Sequence, residues 1–215
     1  MDENNLVYTL YGTVYINLTN RCSNNCVFCI RSIKDDVVGK NLFLTDEKVK
    51  AEDVIEQLKE FDDDIKSSPE AGKEKEIVFC GYGEPLIKLD VLKQVAKYIK
   101  ETYPSVKIRI NTNGQANLIH KRDVVPELVG LIDKISVSLN AENETLYKEL
   151  SEPGIDNSYQ AVLDFIRECV ENNIDTTATV VSGFKHYKVD VEKCKQITES
   201  LGATFRERPW LDSGY

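Results

Sequence analysis

The chain has 215 residues, enough to bury a substantial core without disulfides or a structural metal. Its residues are 41% hydrophobic and 29% charged with a net charge of -9, a globular balance that excludes binding nucleic acid or acidic membrane by bulk electrostatics. The opening MDENNLVYTL lacks the basic start and apolar run of a secretory signal, and no stretch approaches the roughly 18 apolar residues of a membrane span, so a cytoplasmic protein is expected.

In chain order, the first β-prone segment is TVYINL (13–18), followed at once by NRCSNNCVFC (20–29), which puts three of the six cysteines within eight positions. A helix is predicted over 51–61, with Val54, Ile55, Leu58 and Phe61 on one face, and a solvated loop over 62–76, DDDIKSSPEAGKEKE. A strand EIVFC (76–80) leads into GYGEP, and a helix over 88–102 carries Leu89, Leu92, Val95, Ala96 and Ile99 on one face. The strand VKIRIN (106–111) runs into the turn-like NTNG, and KISVSL (134–139) ends at Asn140. A helix over 157–172, a strand DTTATVV (175–181), a helix over 190–201 and a strand ATFRER (203–208) complete the order. Cys169 and Cys194 fall on apolar helix faces and read as small core residues. His120 and His186 have loop-like surroundings and receive no role.

Repeated β-then-α order argues for parallel strands joined by right-handed crossovers, an α/β fold in one domain spanning 1–215. Doubly covered parallel strands normally read as continuous apolar runs, yet most of these alternate. Tyr15 and Asn17, Arg109 and Asn111, Ser136, Ser138 and Asn140, Thr177 and Thr179, and Arg206 and Arg208 all oppose apolar neighbours. A curved sheet with helices outside and a polar concave face, a partial (βα)6 barrel, accounts for this. An antiparallel sheet with one wet face is the competing arrangement. In parallel α/β folds chemistry gathers at the carboxyl ends of strands, where the cysteine loop, GYGEP and NTNG all fall.

The spacing of Cys22, Cys26 and Cys29 leaves three readings open. A tetrahedral zinc site needs a fourth ligand, which Cys80 could supply. A redox dithiol at Cys26 and Cys29 leaves Cys22 unused. Three thiolates can instead hold three irons of a cubane and leave the fourth open to a small molecule.

The segment CSNNCVFC, following a predicted first strand, resembles the Cys-x3-Cys-x-aromatic-Cys signature of radical S-adenosylmethionine (SAM) enzymes. That resemblance implies a [4Fe-4S] cluster on Cys22, Cys26 and Cys29 and SAM as second cofactor, with Phe28 beside it. GYGEP resembles the family's Gly-Gly-Glu motif, implying that the backbone of Tyr82, Gly83 and Glu84, with Pro85 following, helps hold the methionyl amino group; Tyr82 departs from the usual glycine. The resemblance makes Asn113 a SAM or substrate contact, Ser138 and Asn140 ribose contacts, and Thr179 a contact near adenine or ribose. Arg109, Arg206 and Arg208 suit the carboxylate of SAM or an anionic substrate. The implied chemistry is reductive cleavage of SAM to a 5'-deoxyadenosyl radical that abstracts hydrogen from substrate. The electron comes from a small donor such as flavodoxin or ferredoxin, for which Arg21, Arg31 and Lys34 offer a docking region.

YINLTNRCSNNCVFCIRS, VFCGYGEP, INTNGQANLIH and SVSLNAENETLYKEL are similar to the short radical SAM proteins associated with TatD-type hydrolases. With about seven residues after the sixth strand, one cluster and no auxiliary-cluster domain are expected. A glycyl-radical-enzyme activase and a carboxy-deazaguanine-synthase-like enzyme are the alternatives within the chemistry; a zinc-bound interaction domain is the alternative outside it.

Overall fold

The computed structural model describes residues 4–34, 36–37, 39–67 and 74–211. All six strands expected from the alternation form within one or two residues of their expected limits: β2 (Thr13–Ile16), β5 (Glu76–Phe79), β6 (Lys107–Thr112), β7 (Lys134–Ser138), β8 (Asp175–Ser182) and β9 (Thr204–Pro209). They pair in parallel in sequence order. A seventh strand, β1 (Val7–Leu10), extends the sheet beside β2 in antiparallel register, Val7 opposite Ile16. Tyr11 (φ 49°) and Gly12 (φ 76°) make the reversal, both with the positive φ that a two-residue hairpin turn of matching twist needs. A two-stranded ribbon, β3 (Asp36–Val37) and β4 (Lys40–Asn41), lies apart from the main sheet. The α/β partial barrel is therefore correct, with one strand more than expected in its main sheet and the small ribbon besides.

The four expected helices are α1 (Ala51–Glu60), α3 (Leu89–Thr102), α6 (Ser158–Glu171) and α7 (Val191–Ser200). Their apolar stripes pack on the outward face of the sheet: Val54, Leu58, Leu92, Val95, Ile99, Val162, Phe165 and Ile166 join Val14, Ile16, Phe79, Ile108, Ile110, Ile135 and Val137 in one buried core. Each such side chain contributes about 1.5–3 kcal/mol of burial, so the fold stands without help from its cysteines. Cys169 and Cys194 are fully buried within it, as expected.

The expected loop at 62–76 is partly wrong. Asp62–Lys66 forms a short helix, α2, because three aspartates in its first turn complement the helix dipole and Ile65 finds a buried place. Residues 68–73 of that loop lie outside the described residues. Two further helices follow the third and fourth parallel strands: α4 (Ala116–His120), and α5 (Glu144–Ser151), whose N-cap Asn143 accepts the Leu146 N–H at 3.0 Å. Among the described residues no helix is long and apolar enough to cross a membrane.

Candidate active site

The cysteine loop leaves β2 at its carboxyl end and is tied to the barrel wall by its backbone. Asn25 N donates to Ser151 O (3.1 Å), Val27 N to Leu150 O (3.0 Å), and Gly154 N to Ser23 O (2.8 Å), so the end of α5 holds both limbs of the loop. At the entry, Thr19 Oγ1 and Asn20 N donate to the Glu47 carboxylate at 2.7 and 2.5 Å, and Asn20 Nδ2 donates to Leu44 O. Cys22, Cys26 and Cys29 all remain partly exposed.

The three thiols share one neighbourhood. Burial pushes Cys26 up to about 12, with Cys29 and Cys22 adding to the rise, and burial likewise raises Cys22. Without a cation Cys22 and Cys26 keep their protons at neutral pH; a bound metal group would offset the cost and release them. The protein supplies compensating donors: Asn24 N reaches Cys22 Sγ at 3.4 Å, and Ser151 hydrogen-bonds Cys26. Among the described residues no three Cys, His, Asp or Glu side chains are drawn together tightly enough for a single metal ion. Cys80 stands elsewhere: its strongest polar neighbours are Asn111, Arg109, Arg208 and Glu84, inside the barrel. It is not placed as a fourth ligand to the loop cysteines.

Gly81 to Pro85 leaves β5 pressed against this loop. A Cβ on Gly83 would lie 2.2 Å from Thr19 O and 2.5 Å from Arg21 O, and one on Gly81 would lie 2.0 Å from Asn17 Oδ1. Glycine is required at both by close approach. Glu84 N donates to Arg21 O at 2.8 Å. The Glu84 side chain turns inward, accepting from Leu86 N (3.0 Å), Thr112 Oγ1 (2.8 Å) and Asn113 N (2.7 Å). Burial pushes its carboxyl up to about 7, against the pull of those donors. Tyr82, where the related motif has glycine, fits because its ring turns away to pack on Phe43 and its hydroxyl donates to Lys34 O at 2.7 Å.

Asn113 and Gly114 (φ 77°) form the expected tight turn, and Asn113 also serves the loop: its Nδ2 donates to Ser23 Oγ at 2.8 Å and lies 3.7 Å from Cys22 Sγ. Beneath it lies a buried network that the sequence reading missed. Gln115 Nε2 donates to Asn24 Oδ1 (2.7 Å) and to Tyr147 Oη (2.8 Å), joining the third parallel strand's turn, the cysteine loop and α5. Its only sequence signal is a glutamine directly after NTNG. Asn140 departs from the expected polar row. Its φ of 63° takes it off the strand direction, and Nδ2 donates to Ser151 Oγ at 3.0 Å, behind Cys26. Asn17 departs as well, buried with Nδ2 donating to Leu42 O at 2.7 Å.

Apart from Thr177, which is not among the lining residues, the remaining polar row lines a cavity of about 300 Å³: Tyr15, Arg109, Asn111, Ser136, Ser138, Thr179, Arg206 and Arg208, with Cys80 and Tyr82. Tyr8 of the unforeseen β1 joins them, its ring stacked on Tyr15 at 5.3 Å. Of the expected site residues, Tyr82, Ser138, Thr179 and Arg206 face this chamber, while Gly83, Glu84, Asn113 and Asn140 belong to the rim holding the cysteine loop. Phe28 points to neither; its ring meets Phe184 edge-on at 5.9 Å, in a group with Tyr187 and Trp210 after β8 and β9.

A profile of the radical SAM superfamily matches residues 16–196, from the end of β2 into α7. The chain belongs to the radical SAM superfamily. Enzymes of this superfamily use a [4Fe-4S] cluster and SAM, and three thiols on a loop above an α/β barrel are a donor set that fits such a cluster. Among curated relatives, a GTP 3',8-cyclase of Limosilactobacillus fermentum is 31% identical over 145 residues, 67% of this chain and 38% of that protein. A second relative, uncharacterized protein MJ0907 of Methanocaldococcus jannaschii, is 26% identical over 58% of this chain and 37% of its own length. The chain thus spans well under half the length of these relatives. Streptococcus suis SuiB bound to S-adenosylmethionine shares the fold with a TM-score of 0.62 at 19% identity, covering 92% of this chain and 40% of that one. Native anSMEcpe with bound AdoMet does so at 0.61 and 14% identity, covering 92% and 51%.

Proposed function

We propose that this chain is a single-domain radical SAM enzyme of the short kind associated with TatD-type hydrolases, acting in the cytoplasm on a small-molecule substrate. Cys22, Cys26 and Cys29 hold the [4Fe-4S] cluster. The backbone of Tyr82, Gly83 and Glu84 offers its polar atoms to the methionyl end of SAM, with Asn113, Ser138 and Thr179 as further contacts and Arg206 for an oxyanion. Asn140, bonded to Ser151, and Phe28, packed on Phe184, are left as supports of the loop. The chemistry supplied when both cofactors are bound is reductive cleavage of SAM and hydrogen abstraction from substrate.

The chain's own contribution is placement. Glu84 fixes Asn113, Asn113 fixes Ser23 beside Cys22, and Asn140 fixes Ser151 beside Cys26, so the surroundings of Cys22 and Cys26 are set by hydrogen bonds before any cofactor arrives. Val37 of β3 and Leu42 just after β4 close one side of the chamber. Exposed Arg21 and neighbouring Arg31 and Lys34 suit an acidic flavodoxin or ferredoxin as electron donor. The observation that carries the reading is the juxtaposition of the three loop thiols with a polar chamber at the same end of a barrel. A small substrate is favoured over a peptide because the chamber, at about 300 Å³, is at the lower limit for ligand pockets.

The test is anaerobic purification, reconstitution with iron and sulfide, reduction with dithionite and measurement of 5'-deoxyadenosine formed from SAM. Product is expected from the wild type, and Cys26→Ala is expected to fall to background with loss of bound iron. One tightly held zinc per chain and no SAM cleavage would overturn it.

A further inference from the structure

The lining of the chamber carries three arginines, Arg109, Arg206 and Arg208, and no aspartate or glutamate among its described residues. That excess is local, because the chain as a whole has a net charge of -9. An acidic protein that collects three guanidinium groups on the concave face of its barrel has concentrated positive potential where field lines are focused by low-dielectric walls.

The three cations come from two strands and stand at different heights. Arg109 sits near the floor, where its Nε donates to Glu76 Oε2 at 3.0 Å and its Nη1 to Asn111 Oδ1, so its guanidinium is held rigidly. Glu76 also pairs with Lys134 at 3.1 Å, and Lys134 with Glu74 at 2.5 Å, so the charges at the floor are balanced there and Arg206 and Arg208 stand above them. Arg206 and Arg208 are alternate residues of β9 on one face, Arg206 level with Thr179. Burial, then the charges of Arg208 and Arg109, hold Arg206 below its ordinary value, as expected of a cation whose nearest charged neighbours are mostly cations. Beside Arg109, which hydrogen-bonds Tyr15, the lining turns aromatic: Tyr8 and Tyr15, stacked with planes 20° apart, and Tyr82 with Leu42.

We propose that the chamber binds a small anionic substrate with a planar body, its phosphate or carboxylate held by Arg109, Arg206 and Arg208 and its ring against the tyrosine wall. The proposal rests on the radical SAM reading for the location of the chemistry, but its binding claim can be tested apart from it. Guanidinium groups in a fixed array recognise tetrahedral and planar oxyanions through paired N–H donors, whereas lysines act as point charges. Ser136 and Asn111 supply neutral donors and acceptors along the same lining for the polar substituents of the ring.

The experiment titrates phenyl phosphate, benzoate and neutral benzyl alcohol into the reconstituted protein, calorimetrically at low ionic strength, with and without saturating SAM. SAM cleavage is measured on the same preparation. One phenyl phosphate or benzoate per chain is expected, binding at least about tenfold more tightly than benzyl alcohol and still binding when SAM is present. The preference between the two anions identifies the oxyanion. Arg206→Gln on the accessible edge strand and Arg109→Lys, which keeps the charge but not the planar donors, are each expected to weaken binding about five- to tenfold. Anions that bind no better than benzyl alcohol, arginine variants that bind as wild type does, or complete competition by SAM would overturn the proposal; the last would assign the arginines to the cofactor's carboxylate. Anion binding without SAM cleavage would leave it standing and remove the radical SAM reading.

Discussion

The rim of the barrel and its chamber are built from the same alternating strands, yet their polar groups live under opposite conditions. At the rim, Glu84, Thr112, Asn113, Gln115, Asn140 and Tyr147 are buried and bonded to one another or to the cysteine loop. In the chamber, Arg109, Ser138, Thr179 and Arg206 face open volume. The first set spends its hydrogen bonds on making a rigid seat; the second borders open volume, even where Arg109 and Thr179 also bond within the wall. Buried polar groups that satisfy each other fix geometry, and polar groups along a cavity bind.

The sharpest break of this comparison is at Gly83. A methyl group there meets two backbone carbonyls, of Thr19 and Arg21, which cannot swing aside as a side chain would. Gly83→Ala is expected to cost about 4 kcal/mol or force the cysteine loop outward. Urea unfolding of the variant together with its iron content after reconstitution would check this. Unchanged stability and iron content would mean that the rim is softer than its hydrogen bonds imply.

A second break uses the acid of the rim. Unfolded, Glu84 ionises near its ordinary 4.5; folded, burial raises it to about 7. Between those values the native state holds a proton that the unfolded chain has released. The stabilisation is therefore fully present below about pH 4.5, declines as pH rises, and is gone above about pH 7. The decline is on the order of 3 kcal/mol. Urea midpoints of the metal-free protein from pH 4.5 to 8 should show it, and Glu84→Gln should flatten it; parallel profiles for the two proteins would deny Glu84 this role.

How much of this could be read from the chain follows the same division. The chamber face was legible because alternation is local: Arg109 against Ile108, Ser136 against Ile135 and Ser138 against Val137 need only a period of two. The grouping of Cys22, Cys26 and Cys29 was legible because eight residues contain it. The rim was not, since Glu84 meets Asn113 across 29 positions and Gln115 meets Tyr147 across 32, and nothing local announces either contact. The strand β1 escaped because a four-residue strand gains its identity from its partner, although Tyr11-Gly12 marked the turn. Phe28 belongs to the family-like motif, but its partner Phe184 lies beyond β8, where only the folded chain could bring it.

The finest comparison lies within one strand end. Ser138 and Asn140 are two residues apart and were expected on one face; Ser138 lines the chamber, whereas Asn140 has left the strand at φ 63° and bonds Ser151 at 3.0 Å. Asn140→Ala loses that hydrogen bond and leaves alanine in left-handed backbone, which asparagine with its short polar side chain tolerates better. A cost of about 2 kcal/mol is expected, with looser seating of Cys26 through Ser151. Ser138→Ala removes a hydroxyl from the wall of an open volume and is expected to change stability by no more than about 0.5 kcal/mol. Thermal or urea unfolding of the two variants side by side measures the difference. Equal costs would mean that Ser138 is also part of the seat, and that the boundary between scaffold and chamber lies deeper in the barrel than Thr179.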